Sequence, residues 1–383
     1  MISTWEQRKL GEIATYRNGK AHEANQLDVG TYELVNLNSI SIDGGLKPSG
    51  KFIEDGSDTL QRNDLVMVLS DVGHGDLLGR VAIIPENNRY VLNQRVALLR
   101  INDDTNTYFL FSIINRYQDY FKKLGAGSSQ LNISRGIVEN FEVAYPNVAE
   151  QRMIADYFQS LDHLITLHQR KLEHVKKMKK SMLQKMFPKK NQLYPEVRFP
   201  GFTDAWEQRK LGEYVEITSG EAPAKFQEGD INYVKVDDLN YAYKTVINTQ
   251  NKVLKNSSVK MVQAGSVIFP KRGAAILTNK VRVLGVDSYM DTNMMALSSE
   301  KLDTNFLYTM LSKEGLYKIA DTSTIPQINN KHIEPYKIYL PSMDEQLKIG
   351  IYFSNLDNLI TLHQRELDHL QLLKKGMLQQ MFI

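Results

Sequence analysis

The chain contains much of itself twice. Leu161 to Phe187 (LDHLITLHQRKLEHVKKMKKSMLQKMF) and Leu356 to Phe382 (LDNLITLHQRELDHLQLLKKGMLQQMF) agree at 18 of 27 positions, and the octapeptide WEQRKLGE stands at Trp5 to Glu12 and again at Trp206 to Glu213. The octapeptides lie 201 residues apart and the longer segments 195. Each half therefore has one order: a short motif, a variable middle and a C-terminal segment. A repeat of this length constrains the fold more than any local propensity does, because the two copies must adopt the same unit. The 383 residues are read as a tandem duplication.

The repeated C-terminal segments carry helix start signals. Asn147 with Glu150, and Ser342 with Glu345, have the spacing of an N-cap and its third helical residue, each just after a proline, Pro146 or Pro341. From there one stripe alternates strictly by four and three: Ile154, Phe158, Leu161, Ile165, His168, Leu172, Val175, Lys179, Met182 and Met186. Its copy is Ile349, Phe353, Leu356, Ile360, His363, Leu367, Leu370, Lys374, Met377 and Met381. Such a seam, with Leu164, Leu167, Leu359 and Leu362 beside it, calls for a partner helix, and the simplest partner is the other copy. The expectation is an antiparallel pair of helices, each of roughly 35 to 39 residues and about 53 to 58 Å long. His168 and His363 occupy equivalent seam positions; a metal site and a polar register-fixing residue are both open, with no second ligand at helical spacing to favour the metal.

The middles diverge in sequence but keep an outline. DLVMVLSDVGHGDLLGRVAIIP and YVLNQRVALLR in the first half, and GSVIFPKRGAAILTNKVRVLGV and SYMDTNMMALSS in the second, are strand-like and broken by glycine-bearing turns. A helical stretch follows at Asn106 to Leu124 and at Thr304 to Ala320. The fold class expected is α+β: two mixed, β-rich domains and two long helices in an antiparallel coiled coil, with pseudo-two-fold symmetry. The boundaries are 1–146 for the first domain, 147–187 for the central helix, 188–204 for a linker, 205–341 for the second domain and 342–383 for the C-terminal helix. The linker is proline- and glycine-bearing, with Tyr194, Val197, Phe199 and Phe202 able to pin it to a surface.

The net charge of +3 is uninformative, but Arg170 to Lys190 hold nine Lys or Arg against the single acid Glu173. That run is either a solvated helix face or a contact for a polyanion or acidic partner. Its copy replaces Lys176, Lys177, Met178 and Lys185 by Gln371, Leu372, Leu373 and Gln380, so a function needing both copies cannot rest on those lysines. The absence of cysteine, of an apolar leader in MISTWEQRKLGE and of any run near ~20 apolar residues points to the cytoplasm.

Catalytic motifs are missing. GK[ST], Pro-Asp, Pro-Pro, G-x-S-x-G, H-E-x-x-H and G-x-G-x-x-G do not occur, which removes the local signatures of a P-loop, a common nuclease core, an amino-methylating loop, a serine hydrolase, a zinc protease and a dinucleotide fold. The chain reads as non-enzymatic by itself, with no metal and no catalytic residue.

The architecture resembles the specificity subunit of type I restriction-modification systems. The resemblance rests on WEQRKLGE at both positions, the run VRFPGFTDAWEQRKLGE from Val197 to Glu213, and the pair AEQRMIADYFQSLDHLITLHQRKLE and DEQLKIGIYFSNLDNLITLHQRELD, and it covers essentially the whole chain. It implies two target-recognition domains, each reading one half of a bipartite, asymmetric site in double-stranded DNA. It also implies helices that set the spacing, two adenine-N6 methyltransferase subunits docked on the repeated segments, and a motor-nuclease subunit. S-adenosylmethionine, ATP and Mg would sit on those partners and none on this chain. A methyltransferase or nuclease in its own right, and a coiled-coil adaptor with no DNA role, are the alternatives.

Base readout asks for Arg or Lys against guanine and Asn or Gln against adenine on turns that reach a groove. In the first domain the candidates are Asp71, His74, Arg80, Asn93, Gln94, Arg95, Ser128, Ser129, Gln130, Asn132 and Arg135. In the second they are Lys271, Arg272, Asn279, Lys280, Arg282, Asn293, Thr324, Gln327, Asn329, Asn330 and Lys331. GSSQLNISR and TSTIPQINNK place a Gln-x-Asn turn at the same point of each half; Gln130/Asn132 and Gln327/Asn329 are equally readable as caps of the next element. The only tryptophans, Trp5 and Trp206, are duplicated, which favours shared packing or docking over base stacking.

Overall fold

The structure is a computed structural model that describes residues 5–72, 75–127, 130–321 and 325–382. It divides into two units, Met1–Leu167 with Asp368–Ile383, and His168–Leu367. The central helix Val148–Lys185 gives its first part to the first unit and its last part to the second, and the C-terminal helix Met343–Met381 does the reverse. Each half is thus completed by the tail of the other half's helix.

In the first unit an antiparallel sheet runs in the order Ala14–Asn18, Val96–Ile101, Leu65–Val68, Val81–Ile83. Its central strand Leu65–Val68 is buried on both faces, which explains its unbroken apolar run. A three-stranded sheet joins Phe52–Ile53, Tyr32–Val35 and Tyr90–Leu92, the last pair parallel. The octapeptide strand Glu6–Lys9 pairs antiparallel with Glu142–Tyr145, directly ahead of the central helix. The second unit repeats this: Glu216–Ser219, Met294–Ser298, Val267–Pro270, Arg282–Leu284 and Thr245–Val246 form one sheet, and Lys252–Val253, Glu228–Val234 and Tyr289–Met290 another. Its octapeptide strand Glu207–Lys210 pairs with Lys337–Leu340. The expected helical stretches are Thr107–Arg116 with Gln118–Leu124, interrupted at Tyr117, and Thr304–Glu314 followed by a 3-10 turn, interrupted at Gly315, whose φ of +75° suits glycine.

One aromatic centre recurs. In the first unit Phe382 packs on Trp5, Phe109 and Phe158, with ring centroids 6.2, 5.9 and 5.9 Å away. In the second, Phe187 meets Trp206, Phe306 and Phe353 at 5.7, 5.7 and 6.1 Å. A buried glutamine locks each helix start: Gln151 donates to Pro146 O at 2.9 Å and accepts from the Asn106 amide at 2.8 Å, while Gln346 does the same with Pro341 and Asp303 at 3.1 and 3.3 Å.

The helix seams face inward in each unit and run antiparallel. Lys374 reaches Asp162 at 2.6 Å within the first unit, and Lys179 reaches Asp357 at 2.5 Å within the second. Ile154, Phe158, Leu161, Leu172, Val175, Met186, Ile349, Phe353, Leu356 and Leu367 are buried, whereas Ile165, His168, Met182, Ile360, His363, Leu370 and Met377 are half-buried. The expected capping box at Asn147 is only half made. Asn147 accepts from the Glu150 amide at 3.0 Å, but the Glu150 carboxylate takes the Trp5 indole N–H instead, and Glu345 takes an arginine.

His168 and His363 meet within the second unit, Nδ1 to Nδ1 at 3.4 Å. Among the described residues no group of three or more His, Cys, Asp or Glu is placed to hold a metal. Desolvation first, then the His168 ring and Lys171, hold the His363 imidazole below its ordinary value. A base depressed in the folded state loses stability as pH falls through its unfolded pKa of about 6.5. The thermal midpoint of the second unit should therefore drop between pH 7.5 and 5.5, by less in His363→Gln, as read by calorimetry.

Gly19 and Gly220 are equivalent positions at which a side chain has no room. A Cβ would lie 1.9 Å from the carbonyl oxygen of Asn93 in one unit and of Asp291 in the other. Gly220→Ala must push two strands apart and is expected to cost about 2–3 kcal/mol in urea unfolding.

Candidate nucleic-acid interface

Three segments join at the ends of two interior strands of the sheet in each unit. In the second, the Lys271 amide donates to Asn293 O at 2.8 Å, Lys271 O accepts from the Ile328 amide at 2.8 Å, the Gly273 amide donates to Pro326 O at 2.8 Å, and Arg272 bridges Gln327. In the first, the Leu69 amide donates to Arg95 O and Leu69 O accepts from the Ile133 amide, both at 2.9 Å, while Ser70–Val72 pairs with Gln130–Asn132. The joint is made of backbone groups, so it tolerates any side chain. The residues it brings together differ accordingly: Leu69, the buried Ser70, Arg95 and Asn132 in one unit, Lys271, Arg272, Asn293 and Gln327 in the other.

That pairing corrects the alignment expected for the Gln-x-Asn turns. Hydrogen bonding makes Asn132 the equivalent of Gln327: the carbonyl of each accepts from the amide of an earlier residue, Ala126 or Asp321, and the next residue, Ile133 or Ile328, donates to Leu69 O or Lys271 O. Ser134 then matches Asn329, and each starts a short helix, Ser134 accepting from the Ile137 amide and Asn329 in a reciprocal box with His332. Counting along the sequence misses this because the connecting loops differ in length.

The cations at the joint are unequally placed. Lys271 is half-buried, no described residue accepts from its ammonium, and desolvation pulls its pKa below the usual lysine range. Such a cation is pre-desolvated for an anion. Arg272 and Lys331 are exposed, as are Asn132 and Asn330. Arg95 is exposed with φ +66°, a left-handed conformation costing a non-glycine residue roughly 1–2 kcal/mol.

Other candidates have partners within the chain. Arg80 is half-buried and donates to Asn115 O at 3.0 Å; Arg282 donates to Ala242 O at 2.6 Å and Val281 O at 2.8 Å, and burial lowers both guanidinium pKa values. Asn93 is buried and accepts from the Gln94 amide. Asp71 accepts from the Leu77 amide, and Asn279 donates to Ser312 O. Gln130 bonds Ser70, Gln94 bonds Glu23, Lys280 bonds Asn240, and Arg135 pairs with Glu139 at 2.8 Å beside the Tyr16 ring. His74, Ser128, Ser129 and Thr324 lie outside the described residues. The basic run is partly internal: Lys179 pairs with Asp357, Lys176 with Glu173, and Lys185 and Lys189 with Glu196.

Sequence reading missed the groups that set the helix register, Asp162 and Asp357. Asp162 is held by Lys374 and by the Tyr108 hydroxyl, and that carboxylate, after burial, keeps the phenol neutral far above its ordinary range. The signal was present: each acid follows a seam leucine in the repeated LDxLITLHQR stretch.

No helix among the described residues is long and apolar enough to cross a membrane. The profile described as "Type I restriction modification DNA specificity domain" matches residues 2–177 and 203–372. The chain is 23% identical over 392 residues to the type I restriction enzyme MjaVIII specificity subunit of Methanocaldococcus jannaschii, covering 97% of this chain and 90% of that one. Its fold is similar to that of the type I restriction-modification S subunit from M. genitalium, with a TM-score of 0.70 at 17% identity over 99% of this chain and 96% of that one. A chain from a structure of complex assembly and conformational transition in the type I system gives 0.51 at 16% identity, over 99% and 98%. With that profile covering both halves, the chain belongs to the type I restriction-modification DNA specificity family, as a subunit for DNA target recognition with no catalysis of its own.

Proposed function

We propose that each unit reads one half of a bipartite, asymmetric site in double-stranded DNA, and that the paired helices set the distance between the halves. The observation that carries this reading is the joint: one backbone arrangement, repeated, displaying side chains that do not match. A frame that repeats while its displayed groups diverge suits two readers of different sequences. The helices and octapeptide strands, which do repeat, are proposed to dock two adenine-N6 methyltransferase subunits and, through them, an ATP-dependent motor-nuclease. S-adenosylmethionine, ATP and Mg are then held by those partners in the cytoplasm, and this chain binds none of them.

The test is to map methylated adenines in DNA from cells co-expressing the chain with its methyltransferase. Changing Lys271, Arg272, Asn293 and Gln327 together should alter the bases required in one half-site and leave the other and the spacer untouched. For the assembled complex, Lys271→Ala should weaken binding by about tenfold and shallow the salt dependence by roughly one unit of log–log slope if the ammonium meets a phosphate. A single continuous palindrome, or changes in both halves, would refute the two-reader scheme.

A further inference from the structure

The two units differ in what lies over the start of the long helix. In the second, residues 197–202 cover it: Arg198 grips Glu345 with two bonds of 2.7 and 2.8 Å, Phe199 stands edge-on to Tyr352 at 6.1 Å, and the Lys348 ammonium sits 4.7 Å from the centre of the Phe202 ring. The Val197 amide anchors the stretch to Lys185 O at 2.9 Å. Trp206, in the same unit, is 1% exposed.

In the first unit the equivalent positions are Glu150, Tyr157, Met153 and Trp5, and they border an open, mainly apolar groove of about 390 Å³ floored by Ile154 and Met381. Met153 is 67% exposed and Tyr157 37%. Glu150 accepts the Trp5 indole N–H at 3.0 Å and pairs with no cation among the described residues. The floor is otherwise the same, Ile349 and Met186 standing in the second unit where Ile154 and Met381 stand in the first. So one face built twice is covered in one unit and, among the described residues, left uncovered in the other, with the carboxylate that takes the arginine present in both.

We propose that the first unit's groove is a docking site for a segment of another protein with the chemistry of residues 197–202, an arginine followed by an aromatic, Pro-Gly and a second aromatic. Charge complementarity supports this occupant: the arginine would meet Glu150 and the first aromatic would lie on Tyr157. A second copy of this chain is a poor source, because its own segment is held by the buried Arg198–Glu345 pair.

The test uses the full-length chain and a labelled peptide of residues 193–204, LYPEVRFPGFTD, followed by fluorescence anisotropy. Without the tether that holds this stretch in the second unit, binding should be weak, with Kd on the order of 10–100 µM, and saturate at one peptide per chain. Glu150→Gln keeps an acceptor for Trp5 and should weaken binding about tenfold, as should alanine at the peptide's arginine. Tyr157→Ala, altering an exposed ring, reads the same groove should Glu150→Gln disturb the helix start. Absence of saturable binding up to about 1 mM, or binding indifferent to both the arginine and the groove substitutions, would overturn the proposal.

Discussion

Phe382→Ala is expected to lower the stability of the first unit by about 3–5 kcal/mol, or roughly 10 °C in its thermal midpoint, while the second unit's transition stays in place. The residue is one of the last in the chain, where truncation is ordinarily harmless. Here its ring is 3% exposed and fills the centre formed by Trp5, Phe109 and Phe158. Removing it leaves a cavity lined by the rings of Trp5, Phe109 and Phe158, the last two held by the helices Thr107–Arg116 and Val148–Lys185, so collapse fills little of it. The Tyr117 hydroxyl also donates to Phe382 O at 3.1 Å, tying the last turn to the helix Thr107–Arg116. Deleting residues 368–382 should go further and leave the first unit unfolded, since Lys374, the partner of Asp162, leaves with them. Differential scanning calorimetry with two resolved transitions checks both; a Phe382→Ala protein with an unchanged first transition would contradict the assignment of this ring to the core. Phe187→Ala is the matching experiment on the second unit.

Arg198→Ala is expected to cost the second unit about 3–5 kcal/mol, although Arg198 lies in the connecting stretch between the halves. Its partner Glu345 is 0% exposed, so removing the guanidinium strands a carboxylate away from water. The cost comes from the stranded charge more than from the lost bond, which gives the prediction a second arm. Arg198→Met combined with Glu345→Leu should recover most of the stability, because an apolar pair of similar volume carries no desolvation penalty. In the first unit, Glu150→Ala should cost about 1 kcal/mol, since Glu150 is only half-buried and loses one indole bond. Urea unfolding of the three variants measures the asymmetry; equal costs at Glu150 and Arg198 would show that the covering stretch does not matter to the fold.

The duplication, both long helices and their inward seams were legible because each rests on periodicity and identity along the chain. The seam residues Phe158 and Phe353 needed only spacing to be named, and both are fully buried. The candidate interface was less legible. Lys271, Arg272 and Asn293 were named as polar turn residues, but so were Arg80 and Arg282, whose guanidiniums hold neighbouring carbonyls. Composition cannot separate an arginine that faces solvent from one that secures a loop, because the acceptors come from residues 35 to 40 positions away. The Gln-x-Asn turns were misaligned for a related reason: strand pairing, not residue type, decides which positions are equivalent.

The sequence by itself determined that there are two alike units, where their repeated parts lie and which helix faces seek a partner, since repetition and periodicity are properties of the chain. Only the tertiary structure decided that each unit is closed by the far end of the other half's helix, that Trp206 is sealed while Trp5 borders a groove, and that Asp162 and Asp357 pair with lysines more than a hundred and seventy residues away. Those outcomes depend on which groups lose water together, and burial is set by packing between segments distant in sequence.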